Sequence, residues 1–185
     1  MNKVLVIGAS YGGLEALKVI IPKFPKDISL AIIVVLHIGE NNNDSFIAYL
    51  NSISKLQVKE AEEKENIKSG FVYFAPPNYH ILIESGGIIS LSTEAKVHHS
   101  RPSIDVLFES AAWCYKNKLI GIILTGLNQD GAEGLKQVKK YGGISIVEDP
   151  ERAIASIMPL SAIYACKPDY ILTIEDIAKQ ILKLL

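Results

Sequence analysis

The chain has 185 residues, 49% of them hydrophobic, with 19 Lys plus Arg against 20 Asp plus Glu and a net charge of −1. That length suits one domain, expected over residues 1–185, with a sizeable core. The charge balance leaves no electrostatic case for nucleic acid or an acidic membrane surface. No signal peptide is visible, and the longest apolar run, residues 30–36, is too short to span a bilayer, so no membrane insertion is expected. Cys114 and Cys166 form no C-x-x-C pair; they read as ordinary buried thiols in a reducing cytosol.

In chain order, a strand over residues 3–8 leads to a helix over about 13–21, closed by Pro22 and Pro25. A second apolar strand, 30–36, leads through the polar loop Glu40-Asn41-Asn42-Asn43 to a helix capped by Asp44 or Ser45. A short strand over 56–60 is followed by a mixed-sign charged run from Lys59 to Lys68, which reads as a solvated loop. Residues 71–75, 80–83 and 88–91 are short apolar runs separated by Pro76-Pro77-Asn78 and Gly86-Gly87, the pattern of antiparallel strands with tight turns. Ser103 is placed to cap a helix running to about 116. Alternation then resumes: strand 119–124, helix 132–141, strand 144–147, a short helix near 160–165, strand 170–172 and a terminal helix from 175. The expected fold is α/β: a doubly wound, mostly parallel sheet with helices on both faces and a short antiparallel β insertion.

The chemistry gathers at strand ends. Gly8-Ala9-Ser10-Tyr11-Gly12 is a G-x-S-x-G turn between the first strand and the first helix. A serine there is thrust outward on a sharp bend, near helix N–H groups that favour negative charge. The second strand ends at His37, and strand 119–124 runs into Thr125-Gly126-Leu127-Asn128-Gln129-Asp130-Gly131. In an open α/β sheet such ends line the ligand crevice. Ser10 as nucleophile, His37 as base and Asp130 as the acid that orients it would make an acyl-transfer triad, with turn N–H groups holding the oxyanion. The order Ser, His, Asp along the chain differs from that of α/β-hydrolases.

Competing readings are thinner. Gly8, Gly12 and Gly13 do not spell G-x-G-x-x-G, Ser10 stands where a nucleotide cradle needs a glycine, and only Glu40 offers a ribose-binding acid. His98-His99 lacks the companions of a metal site and reads as a loop pair. A binding module without catalysis is the remaining alternative, and the presence of all three of Ser10, His37 and Asp130 argues against it.

Together these segments resemble the catalytic domain of bacterial chemotaxis protein-glutamate methylesterases. The match includes Ile7-Gly8-Ala9-Ser10 with Gly12-Gly13, the strand ending in His37, the stretch from Gly70 to Pro76, and Arg101-Pro102-Ser103-Ile104-Asp105-Val106-Leu107-Phe108. It continues through Thr125-Gly126 to Gly134, then Gly142-Gly143 and Met158-Pro159. The resemblance implies a triad of Ser10, His37 and Asp130 and hydrolysis of glutamate γ-methyl esters on the helical cytoplasmic region of chemoreceptors. In some members it also implies deamidation of glutamine. It implies no cofactor and no metal, and a cytoplasmic location. Another carboxyl ester on the same scaffold is the alternative substrate.

Tyr11, Gly12, Leu127, Asn128 and Arg101 are the expected oxyanion or substrate contacts. Tyr11 stands where the family usually has threonine. Leu127-Asn128 replaces the family's usual methionine and glycine, a glycine position at which a positive φ is expected. Arg101 is expected either at the crevice rim, facing acidic receptor helices, or as a solvated arginine before the Ser103 cap. The family's usual receiver domain is missing from this chain, so regulation through expression, receptor docking or a partner chain is the expectation.

Overall fold

The computed structural model describes residues 3–37 and 44–185; the expected loop at 40–43, with Glu40, lies outside them. Four strands lead with near-unbroken apolar sequence: β1 (Lys3–Ala9), β2 (Leu30–Leu36), β7 (Leu119–Ile123) and β8 (Ile144–Glu148). Such runs need cover on both faces, which parallel strands with helical crossovers supply. With β3 (Gln57–Glu60), β4 (Phe71–Phe74) and β9 (Tyr170–Leu172) they form a seven-stranded sheet in the order β3-β4-β2-β1-β7-β8-β9. Every neighbouring pair in it is parallel.

Side chains alternate across each strand and so divide the core. Leu5, Ile7, Ile32, Val34 and Ile122 face α1 (Gly13–Ile20), α2 (Asp44–Ile53) and α6 (Ile174–Leu184). Val4, Val6, Ile33, Val35 and Ile123 face α3 (Ile104–Tyr115), α4 (Ala132–Lys140) and α5 (Ile157–Cys166). A two-stranded antiparallel hairpin, β5 (His80–Glu84) and β6 (Ile88–Ser92), lies on the second face. Ser110 and Cys114 of α3 tie it down: Ile83 N–H donates to Ser110 Oγ at 3.1 Å, and Cys114 Sγ donates to Ile83 O at 3.2 Å. Cys114 and Cys166 are free and half-buried rather than fully buried.

One expectation fails in the middle of the chain. Residues 71–75 belong to the parallel sheet, not to the antiparallel insertion: Val72 pairs with Ile32, and Gly70 N–H donates to Leu30 O at 2.9 Å. Val72 and Phe74 fill one core while Tyr73 fills the other, and a strand buried on both faces is an interior parallel strand. Among the described strands the antiparallel pair is the β5–β6 hairpin, turning through Gly86 and Gly87 at φ 89° and 77°.

Some ends also move. α5 starts at Ile157, before the expected 160, because Pro159 falls in the first turn, where no helical N–H is lost. Asp44 is the first residue of α2. α6 opens at Ile174 after Thr173.

β1 is the topological switch: successive strands go to one side of it up to β4 and to the other side from β7 onward. A crevice therefore opens at the carboxyl ends of β2, β1 and β7. Those are the ends that carry His37, Ser10 and the 124–131 loop.

Candidate active site

Ser10 follows the last residue of β1, and its N–H donates to Thr125 O at 3.0 Å. Gly13 N–H closes the turn on Ser10 O at 2.8 Å, and Gly12 enters α1 at φ 85°. That left-handed backbone admits glycine without strain. The bend stands Ser10 half-buried at the foot of α1, whose first N–H groups have no partner within the helix. Gly8 makes a second contribution: a Cβ there would collide with Ile104, so its absence lets the start of α3 settle against β1.

His37 is held by its own backbone, N–H donating to Ala9 O at 3.0 Å, one step past the β1–β2 ladder. Its Nε2 lies 3.1 Å from Asp130 Oδ2 and 3.1 Å from Pro102 O. Both neighbours only accept, so Nε2 carries the proton and Nδ1 keeps its lone pair. Asn128 Nδ2 lies 3.1 Å from that Nδ1.

Asp130 is buried and fully engaged. Oδ1 accepts from Ser103 Oγ at 2.9 Å and Asp105 N–H at 3.0 Å, while Oδ2 accepts from Ile104 N–H at 2.7 Å as well as from His37. It thus caps α3 from outside the helix, and a negative charge at a helix N-terminus is favoured. Burial alone would raise its pKa; the His37 hydrogen bond and the N–H groups of Ile104 and Asp105 outweigh that and hold it below the ordinary aspartate range. Ser103 sits at the expected cap position, yet no side-chain bond caps its own helix, because its hydroxyl is spent on Asp130.

Ser10 and His37 line one cleft of about 600 Å³ together with Tyr11, Gly12, Leu14, Glu15 and Ile154. Tyr11 is 61% exposed at its rim, and Leu127 is 58% exposed on the 124–131 loop. Arg101 is not among the residues lining that cleft. Its Nη1 donates to Thr93 O at 2.7 Å and Glu94 O at 2.9 Å, and so tethers the 93–100 loop. Asn128 does not have the positive φ expected at its position; His98 and His99, in the tethered loop, do.

Two residues escaped the sequence reading. Buried His80 accepts from Ser103 N–H at Nδ1, 3.2 Å, and donates from Nε2 to Ala95 O, 3.1 Å, bracing the entry to α3. Buried Glu148 ends β8, and its Oε2 accepts from Thr125 N–H at 2.8 Å while Oε1 has no hydrogen-bond partner among the described residues. Burial, opposed by that N–H and helped by Glu175 and Asp149, pushes its pKa up to about 7. An acid closing the apolar run 144–147 was the available signal.

These features define a parallel α/β domain with a serine turn, a histidine and a buried, helix-capping carboxylate converging at its switch point. The CheB methylesterase family model matches residues 5–181. The crystal structure of the Thermotoga maritima CheB methylesterase catalytic domain superposes with a TM-score of 0.96 at 39% identity, each chain covered completely. A Leptospira interrogans relative, assigned the activity provisionally by its name, is 49% identical over 180 residues, 97% of this chain and 93% of its own. The Pyrococcus horikoshii protein-glutamate methylesterase/protein-glutamine glutaminase is 37% identical over 182 residues, and the chain spans about half of that relative's length. The chain belongs to the CheB methylesterase family. Among the described residues no helix is long and apolar enough to cross a membrane, and no group of three or more His, Cys, Asp or Glu could hold a metal ion.

Proposed function

We propose that this chain is a serine hydrolase that removes γ-methyl esters from glutamate side chains of chemoreceptors, and deamidates glutamines at the same site. Supporting the chemistry above all is the buried Asp130–His37 pair, which leaves Nδ1 as the basic nitrogen in a cleft shared with Ser10. Family membership and the names of the relatives support the substrate.

In this reading Ser10 Oγ attacks the ester carbonyl while Nδ1 of His37 takes the hydroxyl proton. The tetrahedral oxyanion forms beside the turn N–H groups of Tyr11, Gly12, Leu127 and Asn128, since those of Ser10, Gly13 and Gly126 already donate to Thr125 O, Ser10 O and Ala155 O. Collapse breaks the C–OCH₃ bond, and the proton on Nδ1 leaves with methanol. Water then repeats the cycle on the acyl-serine and frees the glutamate carboxylate. For a glutamine substrate the leaving group is ammonia. Asp130 keeps Nε2–H in place and stabilises the imidazolium, as the acid of a Ser-His-Asp triad does. No cofactor enters the scheme. The setting is the cytoplasm, where the helical region of the receptors lies.

Incubating the protein with receptor membranes carrying labelled methyl groups tests the substrate. Methanol should be released by the native chain and not by Ser10→Ala. A serine-directed fluorophosphonate that labels Ser10, with no methanol released, would keep the hydrolase and replace the substrate with another carboxyl ester.

A further inference from the structure

Asn128 sits against the one nitrogen of His37 that the proposed reaction uses. Its amide is fixed at both ends: Oδ1 accepts from Asp130 N–H at 3.1 Å, which turns Nδ2 toward Nδ1 of His37 at 3.1 Å. Nε2 is committed to Asp130 and Pro102. Nδ1 has a single in-plane lone pair, and an amide N–H already occupies it.

The lone pair cannot fully serve two donors. Once Nδ1 has taken the Ser10 proton it becomes a donor itself, and it would then point its hydrogen at the hydrogens of Nδ2. The amide must therefore turn away as the proton arrives. Space for this lies on its far side, where Asn128 also lines a second cleft of about 380 Å³ with His98, His99, Gln129, Ile157 and Ser161.

We propose that Asn128 is a latch on the general base: its amide holds His37 in the correct ring orientation at rest, and turnover requires it to give up Nδ1 to Ser10. This rests on Ser10, His37 and Asp130 acting as a unit. The latch is a positioning residue, and its cost is the exchange of one hydrogen bond, which corresponds to about a two- to tenfold slowing of acylation.

Two substitutions separate a latch from a residue that merely supports the Asp130 turn. Asn128→Ala removes the competing donor and should raise the second-order rate of fluorophosphonate labelling at Ser10 about two- to tenfold. It should also raise kcat on the ester with KM little changed. Asn128→Asp keeps an oxygen for Asp130 N–H but faces Nδ1 with an acceptor. The ring is then held as a double donor with no lone pair, and labelling should slow at least about tenfold. A purely supporting role predicts the reverse, with Asp tolerated and Ala damaging.

The ¹⁵N resonance of Nδ1 should move in Asn128→Ala, and thermal melts check that each variant folds. Asn128→Gly replaces the Ala variant if that one does not fold. A labelling rate that is unchanged or lower in Asn128→Ala, or within twofold of native in Asn128→Asp, overturns the latch. Because the probe reports Ser10 without a receptor, loss of the receptor substrate assignment leaves this test intact. Labelling of Ser10 in no variant overturns the triad and the latch together.

Discussion

Replacing Asp130 by asparagine asks the site to keep its shape without its charge. The carboxylate receives four hydrogens, two on each oxygen. An asparagine amide must set its NH₂ against one of those pairs. If NH₂ replaces Oδ2, it opposes Ile104 N–H and forces His37 into the other tautomer, whose Nδ1–H then opposes the Asn128 amide. If it replaces Oδ1, only Asp105 N–H is opposed, because the Ser103 hydroxyl can rotate and accept. The second orientation conflicts with fewer donors. The variant should therefore keep the Nε2–H tautomer and lose mainly the charge that stabilises the imidazolium.

Unit charges about 4 Å apart attract by about 4 kcal/mol at an effective dielectric of 20, which is about a thousandfold in rate. Leaving the buried Asp105 N–H unsatisfied costs a further ~1–3 kcal/mol of folding stability. Initial rates on labelled receptor, fluorophosphonate labelling and urea melts measure the two losses separately. Asp130 titrates below its ordinary range, so the stability it contributes is present above the unfolded-state value near 3.9 and is lost as pH falls through its lower folded value. The stability gap between variant and native should accordingly be full at pH 7 and narrow below about pH 4. A rate within tenfold of native would show that the Asp130 charge does not assist His37, and the triad would have to be given up.

Three further outcomes are expected. Ser10→Ala and His37→Ala should each cost several orders of magnitude in turnover and combine with little added loss, since groups acting on one step are strongly non-additive; multiplicative losses in the double variant would separate them. Glu148→Gln should melt a few degrees above native at pH 8 and show a flatter pH dependence. The Glu148 pKa is raised from 4.5 to about 7, so the stability tied to its proton is full below about 4.5 and lost as pH rises through 7, with an upper bound of roughly 3 kcal/mol. A pH slope between 4.5 and 7 unchanged by the substitution would contradict that. Arg101→Ala should raise protease cutting within residues 93–100, because one guanidinium nitrogen holds both Thr93 O and Glu94 O; unchanged cutting would assign the tether elsewhere.

Much of the fold was legible because the strands are continuous apolar runs whose ends carry the polar chemistry. Ser10, His37 and Asp130 could be picked from sequence as strand-end residues, and the adjacency of β2, β1 and β7 gathers those ends at one crevice. By sequence, residues 71–75 look like part of an antiparallel meander because Pro76-Pro77 and the two glycines at 86–87 punctuate the chain that way. What decides their partner is burial on both faces, which so short an apolar run does not display. Ser103 does stand at the start of α3, but a sequence cannot tell that the cap comes from Asp130, 27 residues further on.

The least legible property is which imidazole nitrogen does the work. It depends on three segments meeting around one ring. β2 sets where His37 begins, the approach of α3 over Gly8 puts Pro102 O and the Asp130-capped turn at Nε2, and the 124–131 loop brings Asn128 to Nδ1. Each contact is long-range, and each involves a residue whose local sequence favours a plainer role: a proline before a helix, an asparagine in a turn, an aspartate before a glycine. By sequence Asn128 is an expected oxyanion or substrate contact at a position suited to a left-handed φ. The structure gives it an ordinary backbone and puts the consequence in its side chain, at the atom through which every proton of the proposed reaction passes.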